Sequence, residues 1–273
     1  MCSYKLLEGS PMQLNTIMAI LLQEFYHTRK SLEVFMDLFF YSIMTLIIFG
    51  YLSTFLINSA NPIIAYSLLS GMILWEIVRV GQYSMSVGAL WNVWSRNLSN
   101  MFITPLRIRE YMLASMLSGT LKSLLIFLLI STAAIFIFNF NIFSVGILNL
   151  TLHFINLTCF SWSIGIFILG LIFRFGTRIQ ALAWGLIYIF QPLVAVFYPL
   201  NILPDSIQKI ALAFPATYTF EAIRANLVNP RVDWQSFTVA LFLNIFYLIF
   251  SLWFFNLMFN QSKKSGQFAR MEG

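Results

Sequence analysis

The chain has 273 residues, of which 59% are hydrophobic, 17% aromatic and only 10% charged. A water-soluble domain carries roughly a quarter charged residues, so water is not this chain's main solvent, and the sequence left outside its apolar runs is too short for a separate soluble catalytic domain. The formal charge of +6 sits beside those runs, where basic residues set membrane topology instead of contacting nucleic acid.

The first predicted element precedes any span. Leu14, Ile17, Met18, Leu21, Leu22 and Phe25 recur at helical spacing, with Asn15, Gln23, Glu24 and His27 largely between them. The pattern predicts an amphipathic helix. Followed by Arg29, Lys30 and a span, it belongs in the cytoplasmic interface with its apolar face in lipid or against the bundle; a cytosolic helix packed on a partner is the alternative.

Apolar runs of about twenty residues, the length that crosses a hydrocarbon layer roughly 30 Å thick, predict about six spans, at 37–57, 62–80, 114–138, 142–173, 179–197 and 237–259. The first run is too long for a signal-peptide core and is expected to be retained. Connections 58–61 and 139–141 carry no Lys or Arg, whereas the opposite side collects Arg29, Lys30, Arg96, Arg107, Arg109, Arg174, Arg178, Lys263 and Lys264. By the positive-inside rule that second side, with both termini, is cytoplasmic. The expected organisation is a cytoplasmic segment over 1–33, one six-helix membrane domain over 34–260 and a disordered cytoplasmic tail over 261–273.

Near the inner end of the second span, Glu76 and Arg79 stand three apart and either pair locally or take part in gating. In the stretch 90–110 that follows, Trp91, Trp94, Leu98 and Met101 or Phe102 keep helical spacing, with Arg96 projecting between them. A short amphipathic helix is expected to end before Thr104-Pro105, suited either to docking in a groove on a cytosolic partner or to an interfacial aromatic belt. Lys122, inside the third span, either snorkels to the interface or serves a pathway. Asn149, His153, Asn156 and Ser163 form one stripe on the fourth span. Polar groups in lipid need partners, so the stripe faces the bundle interior or a subunit contact, with a substrate-lining role as the alternative.

Between the last two predicted spans, Pro192, Pro199, Pro204 and Pro215 punctuate an apolar stretch carrying Asp205, Lys209, Glu221 and Arg224. Asp205 and Ser206 can cap one short helix, and Phe220, Ile223 and Leu227 outline a second, opposite Glu221 and Arg224. Both are too short to span and are expected to dip into the outer face as re-entrant or interfacial helices. Glu221 and Arg224 form an ion pair or a solvated pair at headgroup level.

Catalytic signatures are missing: there are two histidines, and no HExxH, CxxC, GxSxG or GxxxxGK[ST] pattern, so no metal site or ATP site is expected in this chain.

The segment WSRNLSNMFITPLRIREYMLA over 94–114, the segment FYPLNILPDSIQKIALAFPATYTFEAIRANL over 197–227 and the interfacial helix ahead of the spans together resemble the membrane subunits of ABC-2 type exporters, the family that includes O-antigen, teichoic-acid and drug export permeases. The resemblance covers almost the whole chain. It implies a bacterial inner-membrane permease in which Trp91, Trp94, Arg96, Leu98 and Phe102 belong to a coupling helix that docks on a separate ATPase subunit, the holder of ATP and Mg. It also implies a gate helix over 14–29, extracellular re-entrant helices bearing Pro199, Pro204, Asp205, Glu221 and Arg224, and a homodimer enclosing the path. Asn149, His153, Asn156 and Lys122 are then pathway or bundle-interior groups. A lipid-linked glycan, a lipid and a drug are all open as cargo. The rival classes are an ion- or proton-coupled carrier, a membrane-embedded transferase and a membrane scaffold without flux.

Overall fold

The computed structural model describes residues 13–59, 62–95, 97 and 106–264. Among them the regular structure is helical: α1 (Leu14–Lys30), α2 (Leu32–Asn58, with a π-helical stretch Met36–Phe40), α3 (Pro62–Trp94), α4 (Ile108–Phe138), α5 (Ile147–Phe175), α6 (Gln180–Leu193), α7 (Asp205–Ala211), α8 (Pro215–Val228) and α9 (Trp234–Lys264). The described residues contain five helical stretches long and apolar enough to cross a membrane, the make-up of a multi-pass membrane protein: α2, α3, α4, the run Ile147–Leu193 and α9.

Contacts fix how the helices run. Gly81 abuts Ser161 and Gly165 abuts Met85, so α3 and α5 are parallel; Asn244 bonds Asn156 and Gly170 abuts Phe255, so α9 runs parallel to α5. Ser53 reaches the Ala65 carbonyl and Ser42 reaches Glu76, so α2 is antiparallel to α3. Tyr111 lies beside Asn92 and Gly119 beside Gly81, which makes α4 antiparallel to α3 as well. α3 and α5 are mostly buried and form the core, while α2, α4 and α9 ring it. The outward faces of the ring are apolar at helical spacing, Ile48, Tyr51 and Phe55 on α2 and Phe242, Phe246, Ile249 and Trp253 on α9, surface that water does not solvate and lipid does.

The predicted fifth span corresponds to α6. Gly176, at φ 64°, and a 3-10 turn over Gly176–Ile179 break the run from α5, and α6 returns antiparallel to α3, with Ala183 beside Gln82, Tyr188 beside Glu76 and Arg79, and Val196 against Gly71. Its 14 residues reach about 21 Å at 1.5 Å per residue, shorter than a hydrocarbon layer. Pro192 lies in its last turn, and a buried non-helical stretch over 194–196 continues the path.

Three other expectations are corrected. The predicted second span ends at 80, but α3 continues to Trp94, so Trp91 and Trp94 form its last turn and do not open a separate short helix; the reason is that Gln82 and Ser86 are buried against the α6 backbone and extend the buried face. Arg96, Leu98 and Phe102 lie outside the described residues. α9 runs to Lys264, past the predicted start of the tail at 261, and Ser262, fully buried, donates to the Phe173 carbonyl. Asp205 opens α7, but Pro204 occupies the cap position and no side chain caps the helix.

Candidate functional site

Polar groups gather at three levels of the bundle. At the end carrying Arg174, Lys263 and Lys264, α1 lies against α3 and α4. Its entry is pinned where the Gln13 amide donates to Glu110 Oε1 (2.9 Å), the other Glu110 oxygen accepting from the Arg107 amide (3.2 Å). Further along, Gln23 Nε2 donates to Asn92 Oδ1 (3.2 Å), the His27 ring packs edge-on to Trp91, and Lys122 Nζ reaches Glu24 Oε2 at 2.9 Å. Lys122 therefore pairs with the helix in front of the spans. Trp91 meets Trp94, which stacks on Trp184 of α6, so these aromatics tie α1, α3 and α6 together.

The middle level holds an ion pair in a charge-poor setting. Glu76 and Arg79 are 2% and 6% exposed and meet at 2.7 Å. Such a pair is tolerable out of water only when its remaining donors and lone pairs are filled. Here Ser42 donates to Glu76 Oε2 (2.6 Å) and accepts from Arg79 Nη2 (2.8 Å), Nη1 reaches the Asp37 carbonyl (3.3 Å), and the guanidinium lies over the Tyr41 ring. The two charges form the local pair that their spacing of three allows.

Beside the pair is a cavity of about 100 Å³. α3 forms its back with Met72, Trp75, Glu76 and Arg79; α2 contributes Tyr41, Thr45 and Phe49; Tyr188, Gln191 and Phe197 close the α6 side. Two aromatic rungs join α2 to the α6 strand of chain: the Tyr41 and Tyr188 hydroxyls 2.7 Å apart, and Phe49 stacked on Phe197 with centroids 4.7 Å apart.

The third level is the opposite end. Ala195, at φ 54°, turns the chain out of α6, and the Val196 carbonyl lies so close to Gly71 that a Cβ there would collide with it. Arg224 spends its guanidinium on the Ala195 and Val196 carbonyls and on Glu221 Oε1 (2.9 Å), and Glu221 in turn accepts from the Leu200 amide (2.8 Å). Desolvation holds the Arg224 pKa below its ordinary value. The turn between α7 and α8 is satisfied in the same manner, Thr217 donating to the Ala211 carbonyl and Tyr247 to that of Ala213. Phe214, in that turn, packs on Phe190 and Tyr247, and Phe190 packs on Phe160, near the middle of α5. The α7–α8 hairpin thus reaches the centre of the bundle from one end. Pro199 precedes the 3-10 turn Leu200–Ile202, and Pro204 sets the start of α7.

The polar stripe of α5 divides. His153 Nε2 bonds Asn226 Oδ1 (2.9 Å), Asn149 donates to the Val145 and Pro230 carbonyls, and Asn156 receives Asn244 of α9. All three are buried and fasten α5 to α8 and α9, not to the cavity. Sequence reasoning missed Ser42, Gln82, Glu110 and Asp37, which accepts from Tyr83 (2.7 Å). Gln82, a polar group in an apolar run, carried a signal: its amide had to find a partner, and it found the Ala183 carbonyl.

Compared with known proteins, the chain matches no family model and no curated protein sequence.

Proposed function

We propose that this chain is the membrane-spanning permease subunit of an ATP-driven exporter of the ABC-2 type. Two copies enclose the path, and a separate ATPase subunit holds ATP and Mg and supplies the energy. In this reading the end bearing Arg174 and Lys263 faces the cytoplasm of a bacterial inner membrane, α6 with residues 194–197 is the fifth of six crossings, and α7 and α8 are extracellular re-entrant helices. The single observation that carries it is the hairpin whose turn at Phe214 meets the mid-bundle residues Phe190 and Tyr247. A non-spanning helix pair at that depth, its carbonyls filled by side chains, supports a plug between outer solution and a central path.

Coupling follows from the ties at the basic end. Motion imposed on Trp94 reaches α1 through Trp91 and His27 and α6 through Trp184, and α6 carries Tyr188 of the cavity's inner rung. ATP binding on the partner then acts as a population shift between two packings of these elements.

The test is co-purification in detergent with an ATPase encoded beside this gene. The wild-type chain is expected to retain it and a Trp94→Ala/Arg96→Ala double variant to release it while eluting as the same folded membrane protein. Wild-type protein that holds no such ATPase would overturn the reading.

A further inference from the structure

We infer that α1 is a binding surface for acidic phospholipid: its outer apolar stripe lies among acyl chains at the hydrocarbon boundary, and Arg29 and Lys30 gather headgroups of net negative charge. The inference rests on residence in a membrane and not on the transport reading.

Height comes first. Gln23, Glu24 and His27 of α1 meet α3 at Asn92, Gly88 and Trp91. The parallel α3 and α5 match at Met85 and Gly165, and α5 matches α9 at Gly170 and Phe255 and again at Phe173 and Ser262. Trp91, six residues past Met85, is therefore level with the stretch of α9 between Phe255 and Ser262. There the exposed face of α9 passes from Trp253 to Asn256, Asn260 and Lys264, the change that marks where hydrocarbon gives way to headgroups. α1 crosses the bundle at that boundary.

The two faces of α1 differ in charge. Towards the bundle, Ile20 is buried and Glu24, the one acid of α1, is committed to Lys122. Outward, Leu14, Met18, Leu22 and Phe25 recur at helical spacing and are each at least half exposed, surface that water does not solvate. The exposed Leu32, Phe35 and Met36 carry the same surface on into α2, so the stripe is continuous with the lipid-facing ring. Arg29 follows Phe25 by one turn, and Lys30 stands over the ring of Tyr26. Both basic residues are exposed, and neither is in an ion pair among the described residues. The next acid, Glu33, belongs to the first turn of α2 and offsets one of the two charges. Apolar area joined to net positive charge is the combination that draws a helix to acidic lipid.

The experiment places a bimane on the full chain through Leu22→Cys, with Cys2→Ser and Cys159→Ser, in nanodiscs of mixed phosphatidylcholine and phosphatidylglycerol. One lipid or the other carries brominated acyl chains. Brominated phosphatidylglycerol is expected to quench about fivefold more strongly per mole than brominated phosphatidylcholine, because one charge near an acidic surface is worth about 1 kcal/mol. The preference is expected to fade in about 1 M salt. Arg29→Gln/Lys30→Gln, eluting as the same folded protein, is expected to equalise the two lipids, while Lys264→Gln on α9 leaves the preference intact. Equal quenching in the chain with both basic residues, or a preference that survives their removal, overturns the inference. Quenching by neither lipid overturns it too, because the stripe is then covered by protein, a second copy or a partner. Loss of ATPase association with the lipid preference intact would remove the transport reading alone.

Discussion

Two segments of the chain share one pattern, an aromatic residue followed by Glu-x-x-Arg: Trp75 to Arg79 on α3 and Phe220 to Arg224 on α8. Their leading aromatics touch, with ring centroids 6.1 Å apart, yet the two arginines do different work. Arg79 meets mainly side chains, with one longer bond to the Asp37 carbonyl, and so joins α2 to α3 through Ser42 and Tyr41. Arg224 meets backbone, and so terminates α6 by filling the carbonyls of Ala195 and Val196. Spacing of three brings acid and base together on a helix in both cases. What the pair then serves depends on whether the neighbouring chain arrives as a helix, with most of its carbonyls occupied, or as broken backbone with its carbonyls open.

The sharpest way to break this contrast is to remove one partner from each pair. Arg79→Met leaves Glu76 charged, buried and unpaired, a loss on the order of 3–5 kcal/mol, and a thermal midpoint in nanodiscs is expected to fall accordingly. Replacing both, Glu76→Gln with Arg79→Met, is expected to recover most of that loss; a double variant as unstable as the single one would show that the pair's worth lies in packing. At the other pair, Arg224→Met opens the two carbonyls and is expected to cost about 1.5–3 kcal/mol. Its distinguishing readout is local: a cysteine at Leu200 is expected to react faster with an impermeant thiol reagent, while one at Ile48 on the lipid face does not change.

The smallest expected effect concerns Asp233, where the chain leaves α8 and enters α9. Its carboxylate accepts from the Ser236 hydroxyl (2.7 Å) and amide (3.0 Å), which lowers its pKa below the ordinary 3.8. A lowered folded value means that this stabilisation is complete above the unfolded value near 3.8 and is lost as pH falls through the lower folded one. Asp233→Asn is expected to flatten the fall of the thermal midpoint between about pH 5 and 3; an unchanged slope would remove Asp233 from the far-end structure.

Much of the fold was legible because the bilayer imposes length. The apolar runs located α2, α4, α5 and α9 to within several residues, and the prolines at 199, 204 and 215 marked where the short helical segments begin. The cluster at the middle was half legible: Glu76 and Arg79 are neighbours on one helix, so spacing alone proposed their pairing. Ser42, which completes the pair, is 34 positions from Glu76, and no local pattern links them. The stripe of Asn149, His153 and Asn156 was legible as buried, but not which helix received it.

By itself, then, the sequence determined that the chain lives in lipid, which segments form long helices, where backbone must break and that its buried polar groups need partners. Those properties follow from hydropathy, helical period and proline stereochemistry, which act within a few residues. The tertiary structure alone decided that Lys122 meets Glu24, 98 positions away, that α3 extends to Trp94, and that Tyr41 and Tyr188 close a cavity over the Glu76–Arg79 pair. These outcomes depend on how helices distant in sequence pack. Packing is set by shape and by the filling of buried donors and acceptors, as where Gly71 admits the Val196 carbonyl.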